Sequence, residues 1–190
     1  MIRSVDLRPL VHAATGLVAL GMGVFPRWFS ITGAVLGVVL GWVVIPQTPL
    51  EKRLRRPGEP FLCGLRTYPV AVLGLVLALP ASLAAGAWAV LAAGDAAASF
   101  AGRYVKAPRI FGHPKATWSG TAAFVLVGWA AALGVGTFVE ATGGGLFVPP
   151  MVVPFAVVAA ALVDLVPIPP DDNLPIAAAA GLVLGLAGAT

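Results

Sequence analysis

The sequence predicts an all-α protein: a polytopic transmembrane helix bundle of about seven spans, with residues 1–190 forming a single integral membrane domain. Three observations lead there. Hydrophobic residues make up 59% of the chain and charged residues 11%, against about 25% charged in soluble domains, and the mean hydropathy is +0.95. The apolar residues are gathered into runs separated by short polar stretches. The cations fall in those stretches, which gives the net charge of +4 a topological meaning, because cytoplasmic loops collect Lys and Arg. The same distribution makes nucleic-acid binding a poor reading. One cysteine, Cys63, excludes an intrachain disulfide.

Taken in order, the first apolar run covers residues 10–25, with His12 near its start. It reads as a retained span, because Pro26-Arg27-Trp28 follows in place of a small-residue cleavage site. The second run, 29–45, repeats glycine every fourth residue at Gly33, Gly37 and Gly41, which lines one face for close approach of another helix. Residues 46–66 form a polar connection with five cations, Lys52, Arg53, Arg55, Arg56 and Arg66, and the anions Glu51 and Glu59. Runs at 67–79 and 81–93 flank Pro80 and are short for spans of about 20 residues. Arg103, Lys106, Arg109 and Lys115 make a second basic loop. Two basic loops on one side require an even number of spans between them, which makes both short runs spans. The fifth run is 118–139, followed by Glu140 and Gly143-Gly144-Gly145; the sixth is 147–166, with Pro149, Pro150 and Pro154 near its start. Pro167-Ile168-Pro169-Pro170-Asp171-Asp172-Asn173 is a tight polar loop, and 174–189 is the seventh run.

That topology places the N-terminus in the cytoplasm and the C-terminus outside. It also gathers His12, Asp95, Arg103, Lys115, Asp171, Asp172 and Asn173 at the cytoplasmic face, with Glu140 opposite. An acid at the end of an apolar run is costly, which makes Asp95 the first functional candidate. Asp171, Asp172 and Asn173 add hard oxygen donors on a proline-stiffened loop. A few carboxylates with cations nearby suit Mg²⁺ and a nucleoside triphosphate. No G-x-x-x-x-G-K-[ST] pattern occurs, so a nucleotide would be held in another way. Asp164 reads equally as a buried partner for a cation or as part of the site.

The stretch Gly94-Asp95-Ala96-Ala97-Ala98-Ser99-Phe100-Ala101-Gly102-Arg103 resembles the G-D-A-x-A-S-x-x-G-R motif of the dolichol kinase, phytol kinase and CTP-dependent diacylglycerol kinase family. Three more pieces follow in the family's order. Arg8 to Gly16 resembles R-K-x-x-H-x-x-x-G; Ala116 to Thr121 resembles K-[ST]-x-E-G-[ST]; Val163 to Pro167 followed by Asp171 to Pro175 resembles V-E-x-x-P…D-D-N-x-x-x-P. This chain departs from the pattern at several positions. Pro9 replaces a lysine, Ala116 a lysine with Lys115 adjacent, Ser119 a glutamate, and Asp164 another glutamate.

The resemblance implies a membrane lipid-alcohol kinase that transfers the γ-phosphoryl group of CTP to a polyprenol or isoprenoid alcohol with a divalent cation, Mg²⁺ or another. It implies Asp95, Asp172 and His12 as catalytic residues and Asp95, Asp171 and Asp172 as metal or phosphate-site residues. Gly94, Ser99, Gly102, Arg103, Lys115 and Asn173 would bind the nucleotide. The partners implied are the lipid alcohol, the nucleoside triphosphate and the bilayer. Two alternatives remain at this point: a CTP-dependent cytidylyltransferase making a CDP-lipid, and a non-enzymatic small membrane transporter.

Overall fold

The structure, a computed structural model, describes residues 8–54, 63–110, 113, 116–168 and 171–189. Arg55, Arg56, Glu59, Lys115, Pro169 and Pro170 lie outside the described residues, as does the side chain of Arg8. Among the described residues the chain is helical and forms no β-strand; a single β-bridge pairs Arg109 with Thr117.

Helix α1, Arg8–Gly16, runs on as a 3₁₀ helix over Leu17–Gly23. Pro26 then starts α2, Arg27–Val39, from φ −59° and ψ 150°; the fixed φ and missing N–H of proline suit a helix entry. A π-helical turn, Leu40–Val44, and a 3₁₀ turn, Ile45–Gln47, extend α2. The short α3 is Leu50–Leu54 and α4 is Cys63–Ala78. Pro80 opens α5, Ala81–Ala89, which continues through a π-helical turn, Val90–Gly94, into α6, Asp95–Tyr104. Then come α7, Trp118–Ala141, α8, Val153–Asp164, and α9, Asn173–Gly188.

The fourth run, expected at 81–93 and on into the Asp95 stretch, is one long helix. Gly94 and Asp95 do not end a helix but lie inside one of 24 residues, Ala81–Tyr104. The backbone bonds through the glycine by widening to a π turn, so the polar stretch of the sequence is itself helical. Among the described residues three helices are long and apolar enough to cross a membrane: Arg27–Gln47, Ala81–Tyr104 and Trp118–Ala141. Pro9–Gly23, Gly64–Ala78, Val153–Asp164 and Asn173–Gly188 are apolar but shorter.

Contacts between chain-distant residues set the helix directions. Arg27, at the start of α2, donates to the carbonyls of Val76 and Leu77 at the end of α4, at 2.9 and 2.8 Å. Trp42 donates to the Arg66 carbonyl at the start of α4, so α2 and α4 are antiparallel. Gly23 sits against Val139 and Thr142, and Ser82 binds the Leu146 carbonyl at 2.7 Å. One end of the bundle thus holds residues 23–27, 79–82 and 139–148, and the other holds the starts of α1, α4, α7 and α9.

Ala81–Tyr104 is the axis. Residues 82–92 are buried without a break, enclosed by α4, α7, α9 and the 3₁₀ continuation of α1. Glycine governs the close crossings. A Cβ on Gly128 would lie 3.6 Å from Gly94 Cα, and one on Gly41 would lie 2.8 Å from the Leu65 carbonyl. Pro69 removes the N–H that would bond that carbonyl within α4, and α2 covers it instead, as an apolar surrounding demands. Large apolar side chains such as Leu126, Phe155, Leu162, Leu182 and Leu186 face outward. An exposed apolar surface of this extent is compatible with association with a lipid bilayer.

Candidate functional site

The π turn immediately precedes Asp95. It holds one residue more than an α turn, which rotates everything after it by roughly 100°. Val90 and Gly94 of this turn pack on Gly128, and a Cβ on Gly94 would meet the Phe124 ring at 3.1 Å. The result is that Asp95 faces α1. Its Oδ2 lies 3.4 Å from His12 Nδ1, with the Asp95 side chain 20% exposed and His12 6%.

His12 is a buried imidazole in an apolar helix, and neither ring nitrogen has a hydrogen-bond partner of good geometry. Its ring stacks on Tyr68 of α4, with centroids 4.2 Å apart and planes at 20°. The Tyr68 hydroxyl receives Trp88 Nε1–H at 2.8 Å and Thr15 Oγ1–H at 3.1 Å, and donates to the His12 carbonyl at 3.3 Å. Thr15 also lies 2.8 Å from that carbonyl.

The second acid motif docks on the start of α4. Asp171 Oδ2 accepts from the Thr67 hydroxyl at 2.5 Å, and Oδ1 accepts from the Asn173 backbone N–H at 3.1 Å. Asn173 is buried and donates to Thr67 Oγ1 and to the Gly64 carbonyl, both at 3.1 Å. Asp171 Oδ2 therefore holds the loop against α4 and Oδ1 ties it to the start of α9, while Asp172 begins α9 without capping it through its side chain. Asp164, at the end of α8, lies close enough for the charges of Asp172 and Asp95 to act on it. Asp95, Asp164 and Asp172 thus lie at the same end of the bundle.

The remaining expected site residues divide. Asp95, Ser99 and Arg103 recur every four residues on α6 and share one face, with Arg103 exposed in its last turn. Gly94 and Gly102 sit at the packing between α6 and α7; a Cβ on Gly102 would lie 3.2 Å from Thr117 Oγ1. The motif at 116–121 is placed beside them. Thr117 caps α7 by accepting from Gly120 N–H at 3.1 Å, and Gly120 abuts the Ala98 carbonyl. Ser119 lies within 3.4 Å of the Ala101 and Val105 carbonyls, so it joins the end of α6 to the start of α7. Lys115 is outside the described residues. Glu140 is at the opposite end, as expected from topology.

Among the described residues no group of three or more His, Cys, Asp or Glu side chains forms a preformed metal cage. Mg²⁺ does not require one, because it keeps several waters and takes one or two carboxylates plus substrate phosphates. Asp95 and Asp172 fit that donor set. A cavity of about 240 Å³, lined by residues that include Met22, Phe25, Arg27, Leu79 and Gly143, is at the other end of the bundle.

Sequence reasoning missed Tyr68, Thr67, Trp88 and Thr15. Their only signal was polarity: three carry hydroxyl groups and Trp88 an N–H within apolar runs, where a polar atom needs a partner. Arg66, read as a loop cation, belongs to α4, with its guanidinium 5.2 Å from the Trp42 ring centroid. No protein-family model, curated protein or solved structure matches the chain.

Proposed function

We propose that this chain is a membrane lipid-alcohol kinase that transfers the γ-phosphoryl group of CTP to an isoprenoid or polyprenol alcohol. The observation that carries the reading is the meeting of His12 and Asp95, 3.4 Å apart, at the same end of the bundle as Asp164, Asp171 and Asp172. Acids in an apolar bundle are costly unless they serve a site, and a transport path would distribute them across the membrane instead of at one end.

The apolar segments, long and short, cross the bilayer in turn, with the N-terminus and the acids on the cytoplasmic side. The basic residues at that end, Arg103, Lys106 and Arg109, support this orientation. The lipid alcohol enters laterally with its tail in hydrocarbon, and the nucleotide enters from water. Asp95 and Asp172 would hold the divalent cation, which neutralises phosphate charge when bound.

With Asp95 Oδ2 3.4 Å from Nδ1, the His12 Nδ1–H would donate a hydrogen bond to the carboxylate as the pair closes, which would leave the Nε2 lone pair as the base. The alcohol oxygen bonds to the γ-phosphorus as the bond to the β–γ bridging oxygen breaks. CDP leaves, and the hydroxyl proton passes to His12. Asp171 and Asn173 position Asp172 by fastening its loop to Thr67 and Gly64.

The test is incubation of membranes carrying the chain with γ-labelled CTP or ATP and a panel of lipid alcohols. Label on the lipid is the expected result. Pyrophosphate release with unlabelled lipid would mean a cytidylyltransferase, and no turnover with any donor would end the enzymatic reading.

A further inference from the structure

We infer that Tyr68 is a positioning residue for the His12–Asp95 pair, held in register by Trp88 and Thr15; this rests on the lipid-kinase reading of that pair. A tyrosine in an apolar bundle must satisfy its hydroxyl. Here the hydroxyl makes three contacts, at 2.8, 3.1 and 3.3 Å, and all join elements that carry the pair. Trp88 belongs to the same continuous helix as Asp95, while Thr15 and the His12 carbonyl belong to α1.

The phenol ring stacks flat on the imidazole at 4.2 Å. The hydroxyl therefore fixes the height of α1 against the axial helix, and the ring fixes the plane of His12. The stack supplies what hydrogen bonds do not, since among the described residues the ring nitrogens have no hydrogen-bond partner of good geometry. A phenylalanine would preserve the stack and remove the register; an alanine would remove both. The role is distinct from packing alone, because the three bonds meet at one oxygen that donates to the His12 carbonyl, on a ring that stacks on the His12 imidazole.

The chain has two histidines, His12 and His113, so histidine ring-¹⁵N spectra of the full protein in lipid nanodiscs report on His12 with His113 as an internal reference. Assignment uses His12→Gln. Tyr68→Phe should shift or broaden the His12 ring signals and leave those of His113 in place. In the labelled-CTP assay it should lower kcat roughly ten- to hundred-fold with KM changed less than about twofold, the scale of a small misplacement of a reacting group.

Trp88→Phe and Thr15→Val should do the same more weakly, and they carry the test if Tyr68→Phe does not accumulate. His12 signals identical to wild type in these variants would overturn the inference. So would altered signals with an unchanged kcat. If the wild type transfers no phosphoryl group, the kinase reading fails by itself, and the spectra alone decide whether Tyr68 sets the imidazole.

Discussion

The helices Arg27–Gln47 and Ala81–Tyr104 are similar in length, and each contains one π turn. Their surroundings differ. In the first, Ala34 and Gly41 are the only buried residues; in the second, residues 82–92 are all buried. Their mean hydropathies run against a soluble-protein intuition, 2.1 for the exposed helix and 1.4 for the buried one. In hydrocarbon the bulky apolar residues belong outside, and small residues mark the interior, because burial gains close packing and not escape from water.

The π turns differ in cause as well. Leu40–Val44 precedes Pro46, which cannot donate a backbone bond. Val90–Gly94 has no proline nearby, and tertiary packing on Phe124 and Gly128 holds it. A π turn without a local cause, next to an acid in contact with a histidine, is the kind found at functional sites.

The largest expected effect comes from the acid that this turn aims. Asp95→Asn should lower lipid phosphorylation by on the order of 10³-fold, the upper range for removing one preorganised electrostatic group, without changing the yield of folded protein. Deleting Ala93 should reduce the turn to an α turn and rotate Asp95 away from His12 by roughly 100°, with activity lost to a similar extent. The matched deletion of Val43 should leave activity within about threefold. Equal losses in the two deletions, measured in the same assay, would break the contrast.

Stability effects are smaller. Gly86→Ala would set its Cβ 2.8 Å from the Phe147 ring and should cost about 1–3 kcal/mol as an overpacked site. Gly33→Ala meets nothing within 4 Å and should gain up to about 1 kcal/mol from helix propensity. Thermal unfolding in detergent separates the signs; a destabilised Gly33→Ala would mean that a further helix covers that face.

The all-helical character and the apolar segments were legible because periodic apolar runs and loop cations state them directly. The gathering of His12, Asp95, Asp171 and Asp172 at one end followed from counting spans between basic loops. The glycine ladder was legible in part: Gly37 and Gly41 meet Pro69 and Leu65, whereas Gly33 faces open space. The π turn was not legible, since Val90 to Gly94 has no breaking residue before Gly94 and its geometry comes from α7. The support under His12 was hidden for a similar reason. Thr15 and Trp88 lie 53 and 20 residues from Tyr68 in sequence, and only the fold brings the three together.

The central place of Ala81–Tyr104 has a consequence for biosynthesis. Its enclosing helices are made on both sides of it in time: α1 with its 3₁₀ continuation and α4 before, α7 and α9 after. Roughly eighty residues separate Asp95 from Asn173, on the order of 4–16 s of translation. Through that interval the acids of α8 and α9 do not yet exist in the chain. His12, already synthesised, is the polar group that can accompany Asp95 as it enters hydrocarbon. The His12–Asp95 contact is thus available to the axial helix before the later helices that enclose it have been made.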